Sequence, residues 1–105
     1  FYDIETTGLS RNSTFLYLAG AVAYEEKNWQ MYQWMIEDET EEPELLKIFS
    51  EFLQDFSYTI QYNGDSFDQP YLEARYQIHG LPSPFESLPS LDLYRERETK
   101  LKWNS

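Results

Sequence analysis

Two carboxylates stand two residues apart at the start of the chain, in the segment FYDIETTGLS. Side chains at positions i and i+2 of a β-strand point to the same face, roughly 6.7 Å apart along the backbone. Asp3 and Glu5 can therefore share one cation, while Tyr2 and Ile4 indicate that the opposite face of the strand is buried. Two like charges on one face repel each other, and a metal ion relieves that repulsion. A solvated acidic face on an edge strand is the alternative interpretation.

A further acid occurs in the segment YNGDSFDQPYL, where a predicted strand ends at Asn63-Gly64 and a helix begins a few residues later. Asp68 lies in or just before the first turn of that helix. On local grounds a helix cap is the favoured role for this aspartate. Ser66 and Gln69 also fit a capping box, so Asp68 need not be the cap. The local pattern leaves both roles open.

The composition limits the classes of function. The chain has 19 acidic and 8 basic residues and a net charge of -11, which argues against broad, sequence-independent binding of duplex nucleic acid. It does not exclude an enzyme that cuts nucleic acid, because such enzymes need carboxylates for metal and bound cations reverse the local charge.

No apolar run approaches the roughly 20 residues of a membrane helix, and no signal peptide is visible, so we expect no membrane association and, by default, a cytoplasmic location. The absence of cysteine excludes disulfides and thiolate metal sites.

Hydrophobic periodicity predicts a single α/β domain in the 105 residues. Three successive strands, antiparallel to one another, are expected first, followed by a helix, a short strand, a second helix, and a brief strand that runs into a last helix. The segments are FYDIE, FLYLAGAVAY, WQMYQWMI, LLKIFSEFLQDF, YTIQYN, DQPYLEARYQIHG and SLDLYRERETKLKW. The first acidic motif and Asp68 are thus separated by three strands and a helix.

The polar residues near the helix ends have ordinary explanations. The acidic run before the first helix places Glu42 in its first turn, where a carboxylate favours the positive end of the helix dipole. His79 precedes Gly80 at the end of the second helix, where a cation suits the dipole. The apolar stripe of that helix is predicted to comprise Phe67, Tyr71, Ala74 and Ile78. We therefore expect neither His79 nor the acidic run to belong to a functional site.

The order DIETTGL, then YNGDSFDQPYL, resembles the DnaQ-like, or DEDD, 3′-to-5′ exonucleases of the ribonuclease H-like superfamily, and most closely the YprB-type ribonuclease H-like domain. The likeness runs nearly end to end and includes the HGLP helix exit and the LDLYR segment. It implies an α/β ribonuclease H-like fold in which a mixed sheet starts with three antiparallel strands, continues with parallel strands and carries flanking helices. We expect residues 1–105 to form this exonuclease domain, incomplete at both ends and accompanied by other domains of a larger parent.

The resemblance also implies site residues and cofactors. Asp3, Glu5 and Asp68 would ligate two divalent cations, Mg²⁺ or Mn²⁺, which suit oxygen-only ligands. The implied chemistry is two-metal hydrolysis of phosphodiester bonds at a single strand or 3′ end of DNA or RNA. The residues implied in substrate binding are Thr6, Thr7, Leu9, Asn63 and Phe67.

The sequence departs from the family pattern at its third motif, Tyr-x-x-x-Asp or His-x-x-x-x-Asp. Neither form is present; the nearest segment, Tyr94-x-x-x-Glu98, ends in the wrong acid, and Asp92 is expected to cap or start the last helix. We expect the missing motif beyond Ser105. This departure keeps two alternatives open: a catalytically degenerate module that binds nucleic acid or protein without cutting, and a purely structural subdomain.

Overall fold

The computed structural model describes residues 1–61 and 67–92 of the chain, the last of these by its backbone alone. Two helices and five strands follow one another in an α/β order. They are β1 (Tyr2–Thr6), β2 (Leu16–Glu25), β3 (Asn28–Met35), α1 (Glu42–Leu53), β4 (Thr59–Gln61), α2 (Asp68–Ile78) and β5 (Ser90–Asp92). In these two ranges, no helix has the length and apolar character needed to cross a membrane.

The strands form an antiparallel sheet in the order β1-β2-β3 and a parallel pair of β4 and β5. β4 lies beside β1, with Cα atoms of the two strands within 8 Å of each other, so the parallel pair adjoins the antiparallel sheet. This arrangement confirms the predicted fold class, with its antiparallel start and parallel continuation. Asp92 ends β5, and the last helix expected after it lies outside the described residues.

The register of the antiparallel sheet is set by the hairpin between β2 and β3. Glu26 and Lys27 have φ values of 48° and 70° and join Glu25 to Asn28, which pair across the strands. Positive φ at both central residues is the requirement of the two-residue hairpin turn whose twist matches that of the strands. Pairing then continues without a shift as far as Leu18 and Met35.

The core lies between the antiparallel sheet and the two helices. Tyr2 and Ile4 of β1 point into it, and Phe49 of α1 packs on Tyr2 with ring centroids 5.8 Å apart. Burying one face of β1 leaves the other face, which carries the acidic pair, toward solvent. The sequence therefore predicted the two faces of this strand correctly.

The buried face of α2 differs from the predicted stripe. It comprises Tyr71, Leu72, Arg75 and Tyr76, whereas Ala74 is half-buried and Ile78 is 48% exposed. The prediction was wrong because it followed apolar residues only. An arginine occupies the helix position that faces the core, and its charge is neutralised there by an acid from α1.

Candidate active site

β1 presents Asp3 and Glu5 on the exposed face of the sheet. The two side chains alternate with the buried Tyr2 and Ile4, as the period of a strand requires. The backbone register between β1 and β2 shifts between Glu5 and Thr6. Because such an irregularity bends a strand, β1 turns away from regular pairing directly after its second acid.

α2 brings the third predicted acid to the same place. Asp68 is the first residue of this helix, and the preceding Phe67 is its N-cap, without a side-chain capping bond. The capping role that the local pattern favoured for Asp68 is therefore wrong. The Asp68 carboxyl instead hydrogen-bonds the carboxyl of Asp3 and accepts a hydrogen bond from the backbone N–H of Ile4.

The crowding of these carboxyls changes the acidity of Asp68. Burial, the hydrogen bond with Asp3, and the negative charges of Asp3 and Glu5 together raise the pKa of Asp68 to about 7, against a lowering effect of the Ile4 N–H. A carboxyl with this pKa is half-protonated near neutrality, and protonation relieves the repulsion between its charge and those of Asp3 and Glu5. A cation can replace that proton, because it removes the same repulsion more completely.

The acids are close to one another but do not surround a common point. Among the side chains of residues 1–61 and 67–91, no three His, Cys, Asp or Glu are placed to hold a metal ion together. Asp3 and Asp68 are hydrogen-bonded to each other, and Glu5 acts on Asp68 through its charge. The donor chemistry, three carboxyl groups, suits Mg²⁺ or Mn²⁺, but holding the ion requires the side chains to turn from this arrangement.

The segment after β1 folds back as a loop from Thr7 to Phe15. The Thr7 N–H donates to the Phe15 carbonyl over 3.0 Å, and the Phe15 N–H donates to Thr7 Oγ1 over 3.0 Å. Gly8 lies close to Thr14 inside the loop, and a Cβ there would lie 2.8 Å from Thr14 Cγ2, so a larger residue would displace the Thr14 side chain. The loop is thus closed at its base by Thr7, one of the predicted substrate residues.

The other predicted substrate residues fall in different environments. Thr6 is half-buried and donates to the Gly8 carbonyl, whereas Leu9 is 83% exposed at the surface of the loop. Phe67 is half-buried, with its ring 5.4 Å from that of Tyr71. Asn63 lies outside the described residues. The structure therefore leaves Leu9 free to contact a ligand and gives Thr6, Thr7 and Phe67 contacts within the fold.

α2 is also tied to the loop. The hydroxyl of Tyr71 hydrogen-bonds Thr14 Oγ1 over 2.8 Å, and Thr14 in turn hydrogen-bonds the Ser10 carbonyl. Tyr71 is fully buried and lies one helical turn after Asp68. The helix that carries the third acid therefore also fixes the loop that follows the first two.

Sequence reasoning missed a buried charged cluster under this loop. Glu42 is fully buried and accepts hydrogen bonds from Arg75 Nε at 2.9 Å and from the Leu16 N–H at 2.6 Å. His79 Nε2 lies 2.6 Å from the same carboxylate, and Arg75 Nη1 donates to the Arg11 carbonyl over 2.9 Å. The expected helix-dipole roles of Glu42 and His79 were therefore incomplete, because both belong to one hydrogen-bonded cluster around the Glu42 carboxylate. The only sequence signal was the four-residue spacing between Tyr71 and Arg75, which puts both on one helix face.

Comparison with known proteins agrees with this architecture. The sequence model of the RNase_H superfamily matches residues 1–105. The chain belongs to the RNase H superfamily. Members of this superfamily are typically nucleases, so the family assignment supports nuclease chemistry in general.

A second comparison gives a relative over part of the RNase H-like chain. A DNA polymerase of Methanocaldococcus jannaschii is 48% identical over 40 residues, which make up 38% of this chain. The matched segment is 2% of the length of that polymerase. The likeness is thus local with respect to the polymerase as a whole.

Proposed function

We propose that this RNase H-like chain is a metal-dependent 3′-to-5′ exonuclease domain of the DnaQ-like, or DEDD, type, closest to the YprB-type domain, and that it hydrolyses DNA or RNA. The observation that carries the proposal is the contact of Asp68 with Asp3. These two acids come from motifs that are distant in the chain, one in β1 and one at the start of α2, and the fold brings them together beside Glu5. The family match supports nuclease chemistry, and the two motifs support this subclass.

In this proposal Asp3, Glu5 and Asp68 hold the divalent cations. When bound, two such ions activate a water and stabilise the leaving oxygen of an in-line phosphoryl displacement. The three carboxylates set the position of the ions, and Asp68 must give up the proton that it shares with Asp3. The chain's own negative charge is then offset where the phosphates of a nucleic acid arrive.

Substrate contacts are assigned to the loop and to the start of α2. Leu9, which is 83% exposed, is proposed to lie against the terminal base, with Thr6 and Thr7 along the path of that nucleotide. Phe67 and Asn63 would shape the pocket beside Asp68. The local match to a DNA polymerase supports a further proposal, that the chain is one domain, 1–105, of a larger parent protein.

The test is cleavage of single strands labelled at either end, with Mn²⁺ or Mg²⁺. The assay uses the natural polypeptide that contains residues 1–105 together with any sequence that follows them. Shortening of a 5′-labelled strand one nucleotide at a time, lost in Asp3→Asn and in Asp68→Asn and retained in the exposed control Asp55→Asn, is the expected result. Hydrolysis that survives both active-site substitutions would sink the mechanism.

One alternative has an observation in its favour. The sequence contains neither form of the third motif, so a degenerate module that binds nucleic acid or protein without cutting it fits the same fold. Binding of a single strand without hydrolysis in the same natural polypeptide would favour this alternative. Metal binding alone does not separate the two, since either can retain the three carboxylates.

A further inference from the structure

The outer edge of β3 is an open edge of the sheet. In the part of the chain that the structure describes, β3 pairs with β2 and with no other strand. Its sequence, NWQMYQWM, is eight residues long and contains no charged residue and no proline. Its pairing with β2 is regular, so no bulge twists the edge away. Natural sheets usually protect such edges with charges, prolines or bulges, and β3 has none of these.

The hairpin register shows which backbone groups are available at this edge. Because a two-residue turn closes at the Glu25–Asn28 pair, that pair exchanges hydrogen bonds across the two strands. Hydrogen bonding to β2 then recurs at every second residue, and the bond from the Ile36 N–H to the Tyr17 carbonyl continues the same alternation. The residues whose N–H and C=O groups point outward are therefore Trp29, Met31, Gln33 and Met35.

We propose that this edge pairs antiparallel with the same edge of a second copy of the chain, around a two-fold axis at Tyr32. The occupant of the edge is thus a second copy. An antiparallel pair needs an outward-facing residue opposite another outward-facing residue. The register centred on Tyr32 places Trp29 opposite Met35 and Met31 opposite Gln33. It is the register that uses all four outward-facing residues of both copies.

The charges at the ends of the edge favour this register. The net charge of -11 per copy opposes association, but β3 itself contains no charged residue. With Tyr32 on the axis, Lys27 in the hairpin turn of one copy and Glu37 just after β3 of the other fall at matching positions, and this occurs twice. Glu26 and Asp38 match next and are both acidic, but Glu26 is the turn residue joined to β2 and lies away from the edge. Opposite charges across neighbouring strands stabilise pairing, whereas like charges there destabilise it. Trp29 and Met35, which are 62% and 70% exposed, also meet across the copies.

The experiment is sedimentation equilibrium of the 105-residue chain from about 1 µM to 1 mM, at about 0.15 M salt. The expected result is a reversible monomer–dimer equilibrium. Met31→Pro removes an outward N–H but no bond to β2, and it should weaken the dimer by about thirtyfold, because two bonds per dimer of about 1 kcal/mol each are lost. Met31→Ala keeps the N–H and should weaken it only a few-fold.

A charge exchange tests the register. Lys27→Glu and Glu37→Lys should each weaken the dimer by about tenfold, and the double variant should restore it. Hydrogen exchange of the unaltered chain gives a measurement that does not depend on the folding of any variant: the N–H groups of Met31 and Gln33 should exchange more slowly at high concentration than at low concentration.

Four results would overturn the proposal. One is a monomer at every concentration. A second is equal weakening by Met31→Pro and Met31→Ala, which would indicate association through side chains of the sheet face. The third is a double charge variant that does not recover, and the fourth is exchange at Met31 and Gln33 that does not depend on concentration.

Discussion

Glu42 and Arg75 form an ion pair in the interior, with side chains that are 0% and 4% exposed. The pair joins the start of α1 to the last turn of α2. Glu42 also accepts the first N–H of β2, from Leu16, and Arg75 also binds the carbonyl of Arg11 in the loop after β1. One buried contact therefore holds together both helices, a strand and the loop next to the candidate active site.

Removal of the arginine should destabilise the fold strongly. Arg75→Met leaves Glu42 buried without its main cationic partner, and loss of one member of a buried pair costs about 3 kcal/mol or more. Urea denaturation measures the free energy of unfolding. The exposed Arg11 provides the control, since Arg11→Met removes only a surface side chain and should change this energy by about 0.5 kcal/mol or less. A loss below about 1 kcal/mol for Arg75→Met would show that the cluster contributes little.

Two tyrosines separate a local effect on the loop from a general loss of stability. Tyr71→Phe removes the hydrogen bond to Thr14, and Tyr76→Phe removes the hydrogen bonds to the Leu46 carbonyl and Ser50. Each lost hydrogen bond should cost about 1 kcal/mol, so both variants should be less stable than the original chain. Only Tyr71→Phe should speed hydrogen exchange of the Phe15 N–H. This N–H closes the base of the loop, and the loop is held to α2 by the hydrogen bond between Thr14 and Tyr71. Equal acceleration in both variants would mean that Tyr71 does not hold the loop.

The raised pKa of Asp68 predicts a dependence of stability on pH in metal-free buffer. The pKa is about 7 in the folded chain and about 3.9 in the unfolded chain. Between these values the folded state binds more protons than the unfolded state, so the contribution of Asp68 is fully present below pH 4 and is lost as the pH rises through 7. A pKa difference of about three corresponds to about 4 kcal/mol, and because Asp68 is only half-buried and solvent screens its neighbours, we expect a loss of about 2 kcal/mol.

Urea denaturation in EDTA at several pH values measures this contribution as the difference between the original chain and Asp68→Asn. Above pH 7, Asp68→Asn should be more stable than the original chain. Between pH 4 and 7, its free energy of unfolding should lack the decrease with rising pH that Asp68 causes. Asp55→Asn, in which an exposed acid is altered, should keep the original pH profile. Parallel profiles for the original chain and Asp68→Asn would contradict the assigned pKa.

The sequence predicted those parts of the fold that depend on local pattern. The alternation of apolar and acidic residues around Asp3 and Glu5 predicted which face of β1 is exposed. The predicted order of strands and helices indicated the fold class. The meeting of Asp68 with Asp3 could not follow from periodicity, because it depends on packing between segments distant in the chain. It was expected only through the resemblance between the two motifs and a known family.

The errors have a common physical cause. Apolar periodicity identifies a buried face only when the face is apolar, and α2 buries Arg75 against Glu42 instead. A charged residue can occupy the core when its partner is also buried, and the partner lies in another helix. The capping role favoured for Asp68 failed for a similar reason: its carboxyl is held by Asp3 and the Ile4 N–H, both of β1.

The central claim is that Asp3, Glu5 and Asp68 bind a divalent cation, and thermal unfolding with Mn²⁺ tests it most directly. A ligand at about 100 times its dissociation constant stabilises a protein by about 2.7 kcal/mol, so the melting temperature should rise by about 10 °C relative to EDTA. The rise should be absent in Asp3→Asn and Asp68→Asn, reduced in Glu5→Gln, and unchanged in Asp55→Asn. A rise in Asp68→Asn equal to that of the original chain would contradict the account.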